Sequence, residues 1–458
     1  MTGTVLHVAA TGPENEPLNS DPEVSFFTTG YMKYSHYAKE STELPMNGQI
    51  GFGQQMIVPL NRQGDLVGKI YIMYTLPGIR HQGAAPRGAG GPAKRAHAAR
   101  SQRARYGESE SESGDSESSS EGAPQAPAPG GMPKEWAYWN NSIANVITEW
   151  VAFQIAGQDI DKHYGEWMEI WDEYTCKAGK ETDEMCGRYH DERSLWKASQ
   201  KEQIRYAKCR FFFCEYIGMS LPILAIHYSN IRLVLKTRDL DDCWISSDGS
   251  RPYLANADRE LAPRDLKVQV FANIYYLTEK ERVEINSSSH EFIITQNQFN
   301  GGQMVPKSSS ATSAPVTVKL PFQHPVTEYI VTLQDEAHIK EKDWFNWSGK
   351  YGQDPIKEMG VSINNSPRIS RRPAGWFRMC EPDEHHTRIP KRHLYSCSWA
   401  AYPEEADQPS GALNQSRLDD VSIHIVPQAG LGNAICKVWT RSHNVFRVTR
   451  GLAGLAWQ

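Results

Sequence analysis

The richest group of possible metal ligands in the chain lies in the segment EPDEHHTRIPKRH at residues 381–393. Clustered carboxylates and imidazoles can bind zinc or iron, and this segment offers Asp383, Glu384, His385, His386 and His393. Neighbouring residues on a strand point to opposite faces, which keeps His385 and His386 from sharing one ion. The spaced histidines and following glutamate of a cupin-type site are also missing. The segment therefore favours a solvated loop or one structural histidine, and we expect no metal and no cofactor.

Other patterns that could support chemistry are incomplete. GFGQQM at residues 51–56 lacks the third glycine of a dinucleotide-binding loop and favours a hairpin turn. The chain has no G-x-x-x-x-G-K-[ST] phosphate loop and no G-x-S-x-G nucleophile elbow. An aromatic stripe from Tyr164 to Tyr174 could stack on a sugar, but aromatic residues at helical spacing more often belong to a core. With no complete catalytic constellation, the sequence predicts a protein that is not an enzyme.

The overall composition is that of a folded protein without a strong preference for nucleic acid. The 458 residues are 39% apolar, enough for more than one core, and the net charge is only −5. The eight cysteines form no C-x-x-C pair, which is typical of free thiols in a reducing compartment. No run of 18 apolar residues occurs, and MTGTVLHVAA lacks the basic start of a secretion signal. We expect a soluble protein made in the cytosol, with no specific nucleic acid partner.

The elements that must position these segments are mainly strands. GDLVGKIYIMYTLP at 64–77 alternates in side-chain character and predicts a half-buried strand. FFFCEYIGMSLPILAI at 211–226 predicts two buried strands with a turn, whereas IDKHYGEWMEIWDEYT at 160–175 predicts an amphipathic helix. Many short apolar segments separated by turn formers follow residue 265. Many short strands, few helices and long connections indicate β-sandwiches.

Changes in composition divide the chain into segments. Residues 1–24 are polar and predict an N-terminal arm, and a first β-rich domain covers 25–255. Inside it, residues 79–133 are low in complexity, with a basic part followed by the acidic serine run GESESESGDSESSSEG. Such a composition cannot bury enough apolar surface to offset its ordering entropy, so we expect disorder there. The pattern loosens at 256–265, where we place a linker before a second β-rich domain at 266–458.

Several segments, in this order, resemble the major capsid proteins of the nucleocytoplasmic large DNA viruses. DPEVSFFTTGYMKYSHYAKE at 21–40 is similar to the N-terminal signature of that family, although it shows Met32-Lys33 where the family has a basic pair. PSGALNQSRLDD at 409–420 is the most specific match. The residues that carry the resemblance, and for which it implies a structural role, are Pro22, Phe26, Phe27, Tyr31, Gly64, Asp65, Asp161, His163, Tyr164, Gly165, Trp167, Pro409, Ser410, Gly411, Asn414, Ser416, Arg417 and Asp419.

The resemblance implies a fold, an assembly and a location. The fold would be mainly β, with two consecutive eight-stranded jelly rolls and a few short helices in loops. Three chains would form a trimer of nearly hexagonal outline, and such trimers would tile an icosahedral shell around an internal membrane that they contact only indirectly. The implied partners are further copies of the chain, minor capsid proteins and penton proteins. The protein would be a virion component that is assembled in the host cytoplasm at virus factories.

Other classes of protein remain as alternatives at this stage. A poxvirus-type scaffold shares the double jelly roll but forms a temporary lattice, so it would be scarce in mature particles. Minor capsid and penton subunits often have one jelly roll and fit a chain of this length less well. A sugar- or metal-binding β-sandwich protein is a distant alternative, which a stoichiometric metal or an affinity for sugar would favour.

The aromatic opening of the chain has two possible roles. In the first, Phe26, Phe27 and Tyr31 anchor the N-terminal segment against the base of the first sandwich. In the second, the same residues form the first strand and fill the core of that sandwich. The sequence leaves both roles open, and they are compatible with one another.

Overall fold

The computed structural model describes residues 36–83, 133–308, 313–405 and 408–457. The predictions made for the arm at 1–24 and for Pro22, Phe26, Phe27 and Tyr31 lie outside the described residues, as does the part of the low-complexity segment from 84 to 132. Within the described ranges the chain is built mainly from strands, which confirms the expected fold class.

The first half of the chain contains twelve strands and five helices within the described residues. The strands are β1 (Tyr37–Leu44), β2 (Gln55–Pro59), β3 (Leu66–Leu76), β4 (Ile79–Arg80), β5 (Ala137–Trp139), β6 (Thr148–Ile155), β7 (Gln158–Tyr164), β8 (Gln203–Lys208), β9 (Ile231–Thr237), β10 (Trp244–Ser246), β11 (Tyr253–Leu254) and β12 (Lys267–Leu277). The helices are α1 (Ile143–Ile147), α2 (Gly165–Thr175), α3 (Asp183–Cys186), α4 (Glu192–Ser199) and α5 (Phe212–Glu215).

The second half continues the numbering. Its strands are β13 (His290–Phe299), β14 (Gln303–Val305), β15 (Val316–Lys319), β16 (Pro325–Asp335), β17 (Ile356–Ile363), β18 (Ser366–Pro373), β19 (Tyr395–Ser398), β20 (Leu413–Asn414), β21 (Val421–Pro427), β22 (Ala434–Thr449) and β23 (Leu452–Leu455). Its helices are α6 (Glu279–Ser287), α7 (Glu336–Lys340) and α8 (Glu381–His385), and a π-helical turn covers Trp376–Cys380. Short 3-10 turns lie at Ile217–Met219, Ile223–Ala225, Leu240–Asp242, Pro263–Asp265, Lys350–Gly352 and Gln415–Arg417.

Each half is built on two antiparallel sheets whose four main strands have the same order, and β14, β20 and β23 extend one sheet of the second half to seven strands. In the first half the orders are β1-β12-β3-β8 and β2-β9-β6-β7, and in the second half they are β13-β22-β16-β19 and β15-β21-β17-β18. In both halves successive strands change sheet, except for one hairpin within a sheet (β6-β7 and β17-β18), which is the jelly-roll arrangement. The chain therefore repeats one eight-stranded jelly roll twice, although its sequence shows no repeat.

The predicted alternation in β3 is confirmed and explains how the first sandwich forms. Ile70, Ile72 and Tyr74 are fully buried between its sheets, whereas Tyr71 and Met73 lie half-exposed on the outer face. Residues on one face of a strand repeat every second position, so this pattern fixes which face of the sheet enters the core. A separate core cluster, around Tyr329, Val331 and Val438 with their neighbours, fills the second sandwich.

Strand pairing corrects the predicted domain boundary. Strand β12, which was expected to open the second domain, pairs with β1 on one side and β3 on the other. The predicted linker at 256–265 therefore lies inside the first half, which ends at Leu277. The error has a physical reason: strand pairing over more than 190 residues leaves no local mark in the sequence.

The ordered chain also continues further into the low-complexity segment than expected. Ile79 and Arg80 form β4, which pairs with Tyr253 and Leu254 of β11. The Arg80 guanidinium lies 3.0 Å from the Asp258 carboxylate and donates to the Leu254 carbonyl. The prediction of disorder from residue 79 is therefore wrong for residues 79–83.

Two predicted elements have different limits. The helix expected over 160–175 begins only at Gly165, because the preceding residues pair with β6 as strand β7. Residues 211–226 form α5 and two 3-10 turns rather than two strands. This segment begins with three phenylalanines whose side chains are all buried, Phe211, Phe212 and Phe213. Hydrophobic periodicity alone does not distinguish such a buried helical segment from a buried strand.

Two further expectations concern thiols and membranes. All eight cysteines lie in the described part of the chain, and each is a free thiol. None of the helices in the described ranges is long and apolar enough to cross a membrane.

Candidate functional site at the junction of the two sandwiches

Helix α2 lies between the two sandwiches and packs on the outer face of the β13-β22-β16-β19 sheet. Strand β22 presents Cys436 and Val438 to the core of the second sandwich, so the alternate residues Lys437, Trp439 and Arg441 face α2. The helix was predicted from its aromatic stripe, and this stripe is buried as expected of a core. It belongs to a core that both halves share.

Stacked aromatic rings form the centre of the junction. The ring of Trp167 lies 5.3 Å from that of Trp171 and 6.0 Å from that of Trp439 on β22, with nearly parallel planes. Tyr164, the residue before the helix, contacts Phe299 and Trp439 at 5.5 and 5.6 Å. Large aromatic side chains supply much apolar burial and a defined geometry, so this cluster fixes one half against the other.

A buried ion network extends this contact along α2. Glu169 is completely buried, and its carboxylate accepts hydrogen bonds from Ser142 Oγ at 2.8 Å and Asn145 Nδ2 at 2.6 Å. The guanidinium of Arg188 lies 2.8 Å away within the first half, and that of Arg392 lies 2.9 Å away from the second half. Burial alone would raise the pKa of Glu169, but the two arginines lower it, so the carboxylate is charged.

Arg441 is a residue of the second half whose side chain contacts residues of the first half. Its side chain is buried, lies over the ring of Trp171 at 4.2 Å and donates to Glu215 Oε2 at 3.0 Å. It also donates to the carbonyl of Pro403 and to the hydroxyl of Thr295. A planar guanidinium can stack and donate several hydrogen bonds at once, which a lysine could not do here.

The histidine-rich segment contributes one buried histidine to the same region. His386 lies between Glu328 Oε2 and Glu404 Oε1, each 3.0 Å from a ring nitrogen, and its ring packs 4.4 Å from that of Tyr174. Burial alone would lower the pKa of His386, but the two carboxylates raise it to about 9. His385 instead approaches the Ala401 carbonyl, and no metal-binding group of side chains occurs in the described ranges. The expectation of one structural histidine agrees with this position.

Two of the predicted residues, Asp161 and His163, lie at the edge of the junction. Asp161 Oδ2 is 2.8 Å from His163 Nε2, and Asp161 Oδ1 accepts from the backbone N–H of Asn297 in the second half. The imidazole of His163 stacks on the ring of Phe211 at 4.7 Å. The pair therefore joins β7 to β13.

Gly165 explains why α2 can begin so close to the first sandwich. A Cβ atom at this position would lie 2.0 Å from the carbonyl oxygen of Asn145 and 2.2 Å from that of Thr148. Both contacts are far shorter than any real Cβ contact, so only glycine fits. The predicted residues Tyr164, Gly165 and Trp167 thus come together at one end of the junction.

Gly64 and Asp65 hold the connection between the halves. Gly64 has a positive φ of 82°, and Asp65 is buried, with Oδ2 accepting from the Leu277 N–H at 2.7 Å. Asp65 Oδ1 lies 3.0 Å from Nε of Arg282 on α6. One carboxylate therefore binds the last residue of the first half and the first helix of the second.

The motif at 409–419 lies mainly on the surface of the second half. Ser410 Oγ accepts from the Tyr402 N–H at 2.8 Å, Ser416 Oγ accepts from the His324 N–H at 2.8 Å, and Gly411 has a positive φ of 143°. Asn414 pairs with Pro325 of β16. Pro409, Arg417 and Asp419 have exposed side chains.

Sequence reasoning missed most of the residues that join the halves. Glu169, Arg188, Arg392 and Arg441 were not singled out, because charged residues are rarely buried and no local pattern indicates it. Gln415 was also missed: it is buried inside the surface motif, accepts from the Tyr329 hydroxyl at 2.6 Å and donates to the Leu320 carbonyl at 2.6 Å.

Two jelly rolls of the same strand order in one chain, joined through a buried junction, define the class of double jelly-roll proteins. The sequence profile of the large eukaryotic DNA virus major capsid protein matches residues 281–454, and that of the major capsid protein N-terminus matches 25–98 and 115–278. The chain therefore belongs to the family of major capsid proteins of large eukaryotic DNA viruses. The limits of the two profiles agree with the boundary given by the sheets.

Individual relatives agree with this assignment. The major capsid protein of Pyramimonas orientalis virus is 25% identical over 484 residues and that of Phaeocystis pouchetii virus 23% over 577 residues, each covering the whole of both chains. Among solved structures, a quasi-atomic model of the PBCV-1 virus capsid matches with a TM-score of 0.70 and 19% identity, covering 95% of this chain and all of the other. The Faustovirus major capsid protein matches with a TM-score of 0.66 and 9% identity, covering 93% of each chain. The protein is thus a structural component of a virion, as predicted, and assembles with other copies of itself into a capsid.

Proposed function

We propose that three copies of the chain form a capsomer of nearly hexagonal outline, and that such capsomers tile an icosahedral shell. The observation that carries this proposal is the repetition of one jelly roll in a single chain. Three chains place six similar sandwiches around a threefold axis, and six similar bodies around an axis approximate a hexagon. A hexagonal unit can contact six neighbours, as the flat facet of an icosahedral shell requires.

The buried junction supports this role because it fixes the angle between the two sandwiches. The stacked indoles of α2 and β22 and the network around Glu169 leave no room for one half to swing against the other. A rigid unit places its lateral surfaces the same way in every copy. The chain acts in this proposal as a building block, with no catalytic role and no cofactor.

The remaining family-motif residues have structural roles in this proposal. Asp65 and Asp161 hold the two halves together, and the motif residues Ser410 and Ser416 fix surface loops of the second sandwich. The further partners are minor capsid and penton proteins, with indirect contact to an internal membrane and no specific nucleic acid. Assembly takes place in the host cytoplasm.

The solution mass of the purified full-length protein tests the trimer. Three chains of 51.7 kDa give about 155 kDa, which light scattering distinguishes from a monomer or a dimer. We expect the same mass over a wide range of protein concentration, because obligate interfaces are large and apolar at their centre. A monodisperse monomer at all concentrations would contradict the proposal.

A further inference from the structure

The outer faces of the two equivalent sheets differ in what covers them. The outer face of β13-β22-β16-β19 is covered by α2 of the first half, and Ile330 and Trp439 on it are fully buried. The equivalent face of β1-β12-β3-β8 carries Tyr71, Met73, Tyr206, Ile204 and Phe271, and these side chains are only partly buried. Tyr206 and Ile204 keep 37% and 48% of their surface exposed.

Strand register places these side chains in neighbouring rows of one surface. Phe271 lies opposite Tyr71, Met73 lies opposite Tyr206, and directly opposed residues share a face of the sheet. We call this surface the open face. A continuous row of exposed aromatic and aliphatic side chains on a folded protein marks an interaction site.

The open face is also positively charged. Lys39 lies opposite Tyr275, and Lys208 lies opposite Tyr71. Lys69 is on the same side of β3, and its pKa is lowered by burial and by the nearby charges of Lys208 and Lys39. The carboxylate of Glu43, on the edge strand β1, accepts a hydrogen bond from the side-chain amide of Gln269. A partner for this face should therefore present apolar side chains together with carboxylates.

The second half offers such a partner in the connection between β18 and β19. This connection is equivalent to the one between β7 and β8 that contains α2, because β18 and β7 occupy the same place in their sheets, as do β19 and β8. The π-helical turn runs directly into α8, and exposed residues recur along one face at Trp376, Met379, Cys380, Asp383 and Glu384. Trp376, Met379 and Cys380 are exposed on the π-helical turn, and the spacings of three and four from Cys380 place Asp383 and Glu384 on the same side of the α-helix that follows. We call this the acidic stripe.

We propose that the acidic stripe of one chain docks on the open face of a second copy of the same chain. The contact would repeat, between chains, the contact that α2 makes with the second sandwich within a chain. In the contact within the chain, the ring of Trp167 packs on that of Trp439, and Glu166 Oε2 pairs with Lys437 Nζ at 2.6 Å. In the contact between chains, Trp376 and Met379 pack among Tyr71, Met73 and Tyr206 while the carboxylates approach the lysines. The inference rests on the proposed trimer and names the surfaces that build it.

A contact between two different surfaces of the same chain is heterologous. It forms a closed ring of three chains if each sandwich is rotated by one sixth of a circle relative to the sandwich before it. Each chain then contributes one acidic stripe and one open face, so that no open face remains uncovered. This agrees with a face that is too apolar to remain exposed on a monomer.

Cross-linking through a native thiol tests the contact directly. Cys380 is the one exposed cysteine among the eight, all of which lie in the described part of the chain. In the full-length protein, Met73→Cys adds a thiol at the centre of the open face. A short bismaleimide should then give covalent dimers and trimers on a denaturing gel, and no larger species. The matched control is Gln55→Cys at an exposed position on β2 of the opposite sheet, which should remain monomeric on the gel, as should the unmodified sequence.

Disruption of the stripe provides an independent measurement. Met379→Asp with Trp376→Ala should shift the particle from trimer to monomer at equal protein concentration, with an unchanged circular dichroism spectrum, because both side chains are exposed.

Three results would overturn the inference, and they are distinguishable. If Met73→Cys gives no cross-linked chains while light scattering still shows three chains, the trimer exists but uses other surfaces. The same conclusion follows if residues 1–35 of the same chain protect the introduced thiol from the reagent, and deletion of those residues restores its reactivity. If the unmodified protein is monomeric, the proposed function itself fails, and the contact fails with it.

Discussion

The substitution Glu169→Gln tests the energetic role of the junction. It preserves the shape of the side chain but removes the charge that faces Arg188 and Arg392, and the amide has one accepting oxygen where the carboxylate accepts from Ser142 and Asn145 through two. Because Glu169 is completely buried, both guanidinium groups lose a partner that water cannot replace. Removing one member of a buried ion network costs about 3–5 kcal/mol.

The expected loss can be converted into a melting temperature. An unfolding entropy of about 2.1 cal/mol/K per residue gives roughly 1 kcal/mol/K for 458 residues. The variant should therefore melt roughly 3–5 °C below the unmodified protein when the whole chain unfolds as one unit. Differential scanning calorimetry on the assembled protein measures this shift directly.

A matched control lies on the same helix. Glu166 pairs with Lys437 at 2.6 Å, but both side chains keep some contact with water, at 14% and 20% exposure. Glu166→Gln should therefore cost less than Glu169→Gln, because water reaches the Glu166 carboxylate and not that of Glu169. Equal losses for the two variants would refute the reasoning that burial, rather than pairing alone, makes Glu169 important.

The pH dependence supplies a second check on the same variant. The pKa of Glu169 is lowered in the folded protein, so its charge contributes stability above the unfolded pKa of about 4.3 and loses this contribution as the pH falls through the folded value. The difference in melting temperature between the two proteins should therefore narrow in acid. A difference that stays constant down to about pH 2 would contradict a role for the charge.

Three other predictions concern the junction and the low-complexity segment. The pKa of His386 is raised to about 9, so the charged imidazole should stabilise the protein fully below about pH 6.5 and lose this effect as the pH rises through 9. The melting temperature of the unmodified protein should therefore fall between these two pH values. That of His386→Gln should not fall over the same range. Gly165→Ala should reduce the yield of folded protein sharply, because its methyl group meets two carbonyl oxygens at 2.0 and 2.2 Å. Gly454→Ala, with open space around its Cβ position and no positive φ, should cost far less, and equal yields would contradict this. Replacing 84–132 by a short Gly-Ser linker should leave the melting temperature and the number of chains per particle unchanged, and extending the deletion to 79–132 should lower the melting temperature because β4 is lost. Loss of soluble protein from the shorter deletion would show that the segment is needed for folding.

The features that could be predicted from the sequence are those set by local periodicity. The alternation in β3 and the apolar strands of the second half gave the sandwich class, and the stripe of α2 gave a buried helix. The family resemblance then supplied the jelly-roll order, which no single strand contains. Gly64 and Asp65 were named for that resemblance, and their role in joining the halves follows from contacts more than 200 residues apart.

The features that could not be predicted depend on pairing between distant residues. The position of β12 depends on two strands from the start of the chain, so the boundary was placed too early. Glu169 lies in a charged helical sequence that favours exposure, and its burial depends on Arg188 and Arg392, which lie 19 and 223 residues away along the chain. The alternation in β3 predicted that Tyr71 and Met73 lie on the outer face of the sheet. Whether a helix covers that face could not be predicted, because it depends on how the two halves are arranged.

The most direct test of the central claim is electron microscopy of the purified particle. If the chain is a rigid pair of equivalent jelly rolls, class averages along the particle axis should show a nearly hexagonal outline with six similar lobes around a threefold axis. The account would be contradicted by particles of three chains in which the two halves of each chain take variable relative positions, or in which the lobes form a triangle rather than a hexagon.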